Sequence, residues 1–300
     1  MPRKSPDLTA PLFDAEPPAD APLAARMRPR GLDEFMGQVA LVGEDGALSR
    51  VVKPGYLPSM VLWGPPGSGK TTLARLLAER SQGTWRQLSA VTSGVADVRA
   101  LVADAKALRE QGGRSVAFID ELHRFNKAQQ DALLPHIEDG TITLIGATTE
   151  NPYYELNSPL LSRLRVYRLE PLAEDELRAI VQRAMSEPRG LGGRISLTDE
   201  ALASLLDLSG GDARQALNIL EAAASVAPDG VDIGPEAVAE AAQQRLLAYD
   251  RVGDQHYEAA SAFIKSMRGN DPAATMLAHQ YRAASGSLPR MLLMKADAAS

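Results

Sequence analysis

The stretch Val61-Leu-Trp-Gly64-Pro65-Pro66-Gly67-Ser68-Gly69-Lys70-Thr71-Thr72-Leu73 decides the fold. It reads as a short buried strand, a glycine-rich loop and the first turn of a helix. Gly64, Gly69, Lys70 and Thr71 fit the phosphate-loop pattern G-x-x-x-x-G-K-[ST]. The glycines allow backbone angles that a side chain would forbid, so successive N–H groups can point inward at phosphate oxygens. The helix beginning near Thr71 adds the positive end of its dipole. Lys70 supplies a mobile charge for the β- and γ-phosphates, and Thr71 offers a hydroxyl to Mg²⁺. An ordinary Gly-Pro turn before a helix is the plain alternative. The flanking strand and helix patterns favour nucleotide binding, with Gly64 through Thr72 as the contact residues.

Outward from this loop, apolar runs alternate with helical patterns. Met60 opens the strand before the loop, and Thr71 to Arg80 reads as the helix after it. Trp85 to Leu88 reads as a strand and Val95 to Arg109 as an amphipathic helix closed by Gln111-Gly112-Gly113. Ser115 to Ile119 is apolar throughout and short enough for a central parallel strand. A helix over Lys127 to Glu138 follows, then a strand over Ile142 to Ala147, a short helix over Leu160 to Arg163 and a last strand over Val166 to Leu169. This alternation predicts an α/β fold, a doubly wound parallel sheet with ligands at the strand C-terminal ends. After Pro171 four helices are expected: Ala173 to Met185, Asp199 to Leu208, Asp212 to Val226 and Pro235 to Arg245. Before the loop, Val39 to Val52 has a helical rhythm. The basic arm Leu23 to Gln38, with Arg26, Arg28 and Arg30, is expected to fold over the nucleotide base. The division predicted is a disordered tail (1–22), an ATPase core (23–170), an all-helical lid (171–226) and a partial helical C-terminal region (227–300).

The 300 residues carry 45% apolar and 23% charged side chains, an ordinary globular balance. The chain contains no cysteine, which excludes disulfides and cysteine-ligated zinc. No apolar run approaches membrane-spanning length, and the N-terminus carries no apolar signal segment. At a net charge of −6 the protein is no general polyanion binder. Any nucleic-acid contact must come from local basic surface or from an assembled oligomer.

Further signals refine the chemistry. Val116-Ala-Phe-Ile-Asp120-Glu121 places two carboxylates at the end of a central strand, one βαβ unit after the loop. Asp120 suits Mg²⁺ held through water, and Glu121 suits polarisation of a water for in-line attack on the γ-phosphate. Leu144-Ile-Gly-Ala-Thr148-Thr149 puts hydroxyls on a strand beside the metal strand, able to orient that water or merely to satisfy a bend. Arg163, in Leu161-Ser-Arg163, has the spacing of an arginine finger acting on a neighbouring subunit, against the plain reading of a solvated charge. In Gly210-Gly-Asp212-Ala-Arg214, Asp212 reads as an N-cap. Arg214 sits in the first helical turn, where a cation is unfavourable unless an anion such as phosphate is its partner. His123, Arg124, Asn126 and Lys127 divide evenly between a solvated helix start and a coupling to DNA. His123 as a metal ligand is disfavoured, because no second His or Cys lies at ligand spacing. Lys265 and Arg268 are equally open.

Taken together, GPPGSGKT, FIDE, GATTENP, LLSR and GDAR resemble the AAA+ ATPases of the clamp-loader and Holliday-junction-motor branch. Longer strings narrow the resemblance: LAARMRP, SAVTSGV, HRFNKAQQDALLPHIEDGTITLIGATTENPYYELNS, GDARQALNILE and GDQHYEAASAFIKSMRGNDP. These are similar to the replication-associated recombination protein A (RarA/MgsA) family, with the Werner-helicase-interacting ATPases as eukaryotic relatives. The likeness covers about Leu23 to Pro272. It implies a Mg²⁺-dependent, DNA-dependent ATPase at stalled replication forks and single-strand gaps. Such a protein would be cytoplasmic and nucleoid-associated, an oligomer, and a partner of single-stranded-DNA-binding protein. The resemblance assigns Lys70 and Thr71 to the phosphate loop, and Asp120 and Glu121 to metal and water. It assigns Thr149 to sensor 1 with Thr148 as the alternative, Arg163 to the finger and Arg214 to sensor 2. Rival readings are a clamp-loader subunit, a branch-migration motor, and an ATP-gated scaffold with little turnover. Thr275 to Ser300 does not resemble the family, so a truncated, frame-shifted or divergent end is expected there, and with it weakened oligomer formation.

Overall fold

The computed structural model describes residues 18, 20–52, 56–228 and 230–250. The predicted tail, Lys265, Arg268 and the expectation for 275–300 lie outside those residues, apart from the last few positions before Leu23.

Three short helices lead in: α1 (Leu23–Arg26), α2 (Val39–Val42) and α3 (Ala47–Val51). The continuous rhythm read over Val39 to Val52 is thus two single turns, because Gly43 and Gly46 interrupt it. Then come β1 (Met60–Trp63), α4 (Lys70–Arg80), β2 (Thr84–Ser89), α5 (Val95–Glu110) and β3 (Ser115–Asp120). A 3₁₀ turn at Leu122–Arg124 precedes α6 (Lys127–Glu138), β4 (Ile142–Thr148), α7 (Pro152–Glu155), α8 (Ser158–Leu161) and β5 (Arg165–Arg168). Where one short helix was expected before the last strand there are two. Asn151 and Asn157 each cap one through a side-chain oxygen, and each cap is followed within two residues by a proline.

The five strands form one parallel sheet in the order β2-β3-β4-β1-β5. Both faces are covered, which is why its strands read as unbroken apolar runs. Met60, Leu62, Val116, Phe118, Ile145 and Ala147 point to one face and pack with Leu73, Leu76 and Leu77 of α4. Val61, Ala117, Ile119, Ile142 and Leu144 point to the other and pack with Val98, Leu101 and Leu133 of α5 and α6. The period-two alternation therefore divides a single run between two cores. Burial of these side chains is the main stabilising term, at roughly 1.5–3 kcal/mol per large aliphatic residue.

The remaining elements are α9 (Glu174–Ser186), β6 (Ser196–Leu197), α10 (Asp199–Ser209), α11 (Ala213–Val226), β7 (Asp232–Ile233) and α12 (Pro235–Asp250). β6 and β7 make a two-residue parallel ladder, a detail too short to leave a periodic signal. Residues up to Ala241 form one compact unit, and a second begins at Ala242. The arm is strapped to the helical segment. Arg26 Nη1 donates to the carbonyls of Arg189 and Gly190, at 2.8 and 2.6 Å, and Glu221 Oε1 accepts from Leu23 N at 2.7 Å. At the link between sheet and helices, Gln38 pairs with the backbone of Glu170. Its Nε2 donates to Glu170 O at 2.7 Å and its Oε1 accepts from Glu170 N at 3.1 Å.

Candidate functional site

β1 delivers the glycine-rich loop between β4 and β5. Gly64 N donates to Thr148 O at 3.2 Å, and a Cβ at Gly64 would lie 2.4 Å from Leu169 O, so only glycine fits that approach. Gly69 takes φ +93 at the start of α4, with the ring of Phe35 against it. Phe35 was not read from the sequence as part of the site. The hint available was an aromatic residue in the arm expected over the base. Lys70 is 8% exposed, and its Nζ donates to Gly64 O and Pro65 O, both at 2.8 Å. The ammonium thus folds back onto the loop's own carbonyls. Burial lowers its pKa. Glu121, Asp120 and Asp212 oppose that shift, and Arg214 adds to it.

That balance of charges states which groups share Lys70's surroundings. Asp120 ends β3, and its Oδ1 accepts from Glu121 N at 3.2 Å. Glu121 follows at φ +52, a left-handed conformation that costs a non-glycine residue on the order of 1–3 kcal/mol. Such strain persists only where the surroundings fix it. Here the 3₁₀ turn begins at once, and Arg124 N donates to Glu121 O at 2.8 Å. Beside Glu121, Thr148 closes β4 and is fully buried. Its Oγ1 lies 2.9 Å from His123 Nδ1, and His123 Nδ1 lies 3.3 Å from Glu121 Oε2. Thr149, half-buried, is the first residue beyond the strand.

From the helical segment, Asp212 Oδ1 accepts from Gln215 N at 2.9 Å, the N-cap that its sequence context predicts. Arg214 is exposed in the first turn of α11. It interacts repulsively with Lys70 and with Arg28 of the arm; burial and then Arg214 lower the Arg28 pKa. Burial and Arg28 in turn lower that of Arg75. Neither Arg28 nor Arg214 has an ion-pair partner among the described residues. Repulsion of Arg28 by Arg214, and of Arg75 by Arg28, is what an anionic ligand relieves. Arg163 is elsewhere engaged: it pairs with Glu138 at the end of α6, and its Nη1 donates to Pro159 O at 2.6 Å and Ser162 Oγ at 2.9 Å. None of these contacts is with the phosphate loop. Arg124, Asn126 and Lys127 are exposed at the start of α6.

A magnesium–triphosphate suits these donors. The loop offers backbone amides and a buried ammonium to phosphate. Among the described residues no group of three or more His, Asp or Glu could cage an ion. A divalent ion at Thr71 and Asp120 therefore has to complete its shell with water and phosphate oxygens, the habit of Mg²⁺.

With this geometry established, comparison with known proteins gives a consistent picture. Residues 60–172 match the ATPase family associated with various cellular activities (AAA), and residues 191–268 match the AAA C-terminal domain. The chain is 48% identical over 263 residues to replication-associated recombination protein A of Escherichia coli (strain K12), covering 85% of this chain and 58% of that protein. It is 39% identical over 275 residues to ATPase WRNIP1 of Dictyostelium discoideum, covering 85% of this chain and 31% of that one. The chain thus spans under two thirds of the length of these relatives. Among solved structures, the RuvB Holliday junction branch migration motor of Thermotoga maritima superposes with a TM-score of 0.57 at 30% identity. That match covers 81% of this chain and 79% of that one.

Proposed function

The chain belongs to the AAA+ ATPases, in the family of replication-associated recombination protein A, and from that premise we propose that it hydrolyses ATP to drive remodelling of DNA at stalled forks or single-strand gaps. The observation that supports this reading best is the grouping of Asp120 and Glu121 around Lys70, with Arg214 brought in from the helical segment. In this reading the amides of Gly64 to Thr72 hold the phosphates and Lys70 leaves its loop carbonyls for the β- and γ-oxygens. Thr71 and Asp120 hold Mg²⁺, which, when bound, neutralises charge on the transferring phosphoryl group. Glu121 takes the proton of the attacking water, Thr149 or Thr148 orients that water, and Arg214 approaches the phosphates from the lid. Arg163 acts on a neighbouring subunit's nucleotide. The 171–226 segment serves as the lid over the site.

The proposed partners are single-stranded, gapped or forked DNA, single-stranded-DNA-binding protein and further copies of the chain. Unwinding of DNA ends is the proposed work. Among the described residues no helix is long and apolar enough to cross a membrane. The proposed location is the cytoplasm, at the nucleoid. The likeness to RuvB favours one second reading, a branch-migration motor.

The test is ATPase rate against Mg²⁺, then against single-stranded, gapped, forked and four-way-junction DNA, with assembly mass measured alongside. We expect Mg²⁺-dependent turnover that rises with gapped or forked DNA. Glu121→Gln should bind ATP and lose turnover. Stimulation by four-way junctions alone would move the assignment to the second reading. Failure of the wild-type chain to retain ATP would overturn both.

A further inference from the structure

We propose that His123 is a positioning residue for hydrolysis, its Nδ1 fastening the Glu121 carboxylate to the buried end of β4. This inference rests on the reading of Glu121 as the base.

The surroundings of His123 favour a proton on Nδ1. Thr148 Oγ1 accepts from Glu150 N at 3.0 Å and donates to Glu150 O at 3.3 Å. In the tautomer with the proton on Nδ1, that nitrogen donates to Thr148 Oγ1 at 2.9 Å, and the hydroxyl hydrogen is left for Glu150 O. The same nitrogen lies 3.3 Å from Glu121 Oε2, a contact at which a bare lone pair would repel the carboxylate. Nδ1 therefore hydrogen-bonds the hydroxyl and lies in charge contact with the carboxylate.

The anchor is rigid. Thr148 is 0% exposed and pairs in register with Trp63 of β1, and its carbonyl accepts from Gly64 N at 3.2 Å. A chain of contacts therefore runs from the phosphate loop through Thr148 and His123 to Glu121. Glu121 needs such a tether. Its side chain is 35% exposed and its backbone is held at φ +52, so the local chain does not itself choose one rotamer pointing at the loop. The His123 side chain, at 10% exposure, is the more confined partner. A carboxylate misplaced by about 1 Å loses up to about a hundredfold in rate without losing substrate affinity.

The experiment measures kcat and KM for the 300-residue chain and its variants, with nucleotide affinity measured separately. His123→Ala should lower kcat about ten- to a hundredfold while KM stays within about twofold. His123→Asn places an amide nitrogen near the Nδ1 position and should hold kcat within about threefold. His123→Gln reaches the Nε2 position instead and should behave like His123→Ala. If His123→Ala does not fold, the Asn and Gln variants decide. Wild-type kcat in His123→Ala, or equal losses in the Asn and Gln variants, would overturn the proposal while Glu121→Gln remained inactive. Turnover surviving Glu121→Gln would instead remove the base assignment, and this proposal with it.

Discussion

The carboxylate of Asp212 lies on the α-carbon of Gly67: a Cβ placed at Gly67 would sit 1.8 Å from Asp212 Oδ1. A helix cap of the segment proposed as the lid therefore occupies the rim of the loop that is proposed to hold phosphate. Gly67 is at φ +65, so a side chain there would meet both backbone strain and the Asp212 carboxylate. The contact sets the α11 start against the loop and places a negative charge where a triphosphate would add more.

Asp212→Asn separates the charge from the cap, because the two residues cap helices almost equally well. We expect tighter ATP binding, by about 1 kcal/mol or roughly fivefold, from relief of like-charge repulsion. Thermal stability should be nearly unchanged. Asp212→Ala should also lose about 1 kcal/mol of stability with the cap. Titration with a fluorescent ATP analogue and thermal melts check both. Weaker binding in Asp212→Asn would show that the carboxylate helps to hold the nucleotide.

Arg163 is held by Glu138 of its own chain, at half-exposed positions where an ion pair contributes little, about 0–1 kcal/mol. Its release to a neighbour therefore costs little. Arg163→Ala should lower turnover strongly while leaving nucleotide affinity and melting temperature almost unchanged. Mixed with Glu121→Gln, which keeps its finger and lacks the base, it should recover part of the lost activity. Each mixed interface can then contain one intact base and one intact arginine. A mixture no faster than its components would show that Arg163 does not act between chains.

How much of this was legible in the sequence follows from the range of each interaction. The loop, the β3 carboxylates and the sheet with helices on both faces were all readable, since each is set by residues close in sequence. The strand apolar runs matched the observed strands within a residue or so at either end. The Asp212 cap was readable for the same reason. The seat of that carboxylate on Gly67 was not, because most of the sheet and two helices of the following segment lie between the two positions. His123 drew notice as a polar residue after Glu121, yet its bond to Thr148 depends on β3 and β4 being neighbours. Phe35 and Arg28 lie in an arm without periodicity, and their approach to the site comes from the strapping of that arm across the helices.

That strapping has a pH dependence of definite sign. Glu34 of the arm lies 2.8 Å from Arg189 and 3.5 Å from Arg183, and Glu187 lies 2.6 and 2.9 Å from the same two arginines. Burial alone would raise both carboxyl groups. The hydrogen bonds and charges of the arginines outweigh it, and for Glu34 the Arg30 backbone N–H adds to them, so both pKa values are lowered. An unfolded chain then binds more protons than the folded one as these groups titrate. Their stabilisation is fully present above the ordinary glutamate range, near pH 4.3, and is lost as pH falls through the lowered values. Melting temperature should therefore drop between about pH 5 and pH 3. Glu34→Gln should lower it by roughly 2–4 °C at pH 7, for a loss of about 1 kcal/mol. The two melting curves should converge at the acid end, where wild-type Glu34 is itself protonated. A constant gap between them down to pH 3 would show that Glu34 acts by packing, and that its charge does not fasten the arm.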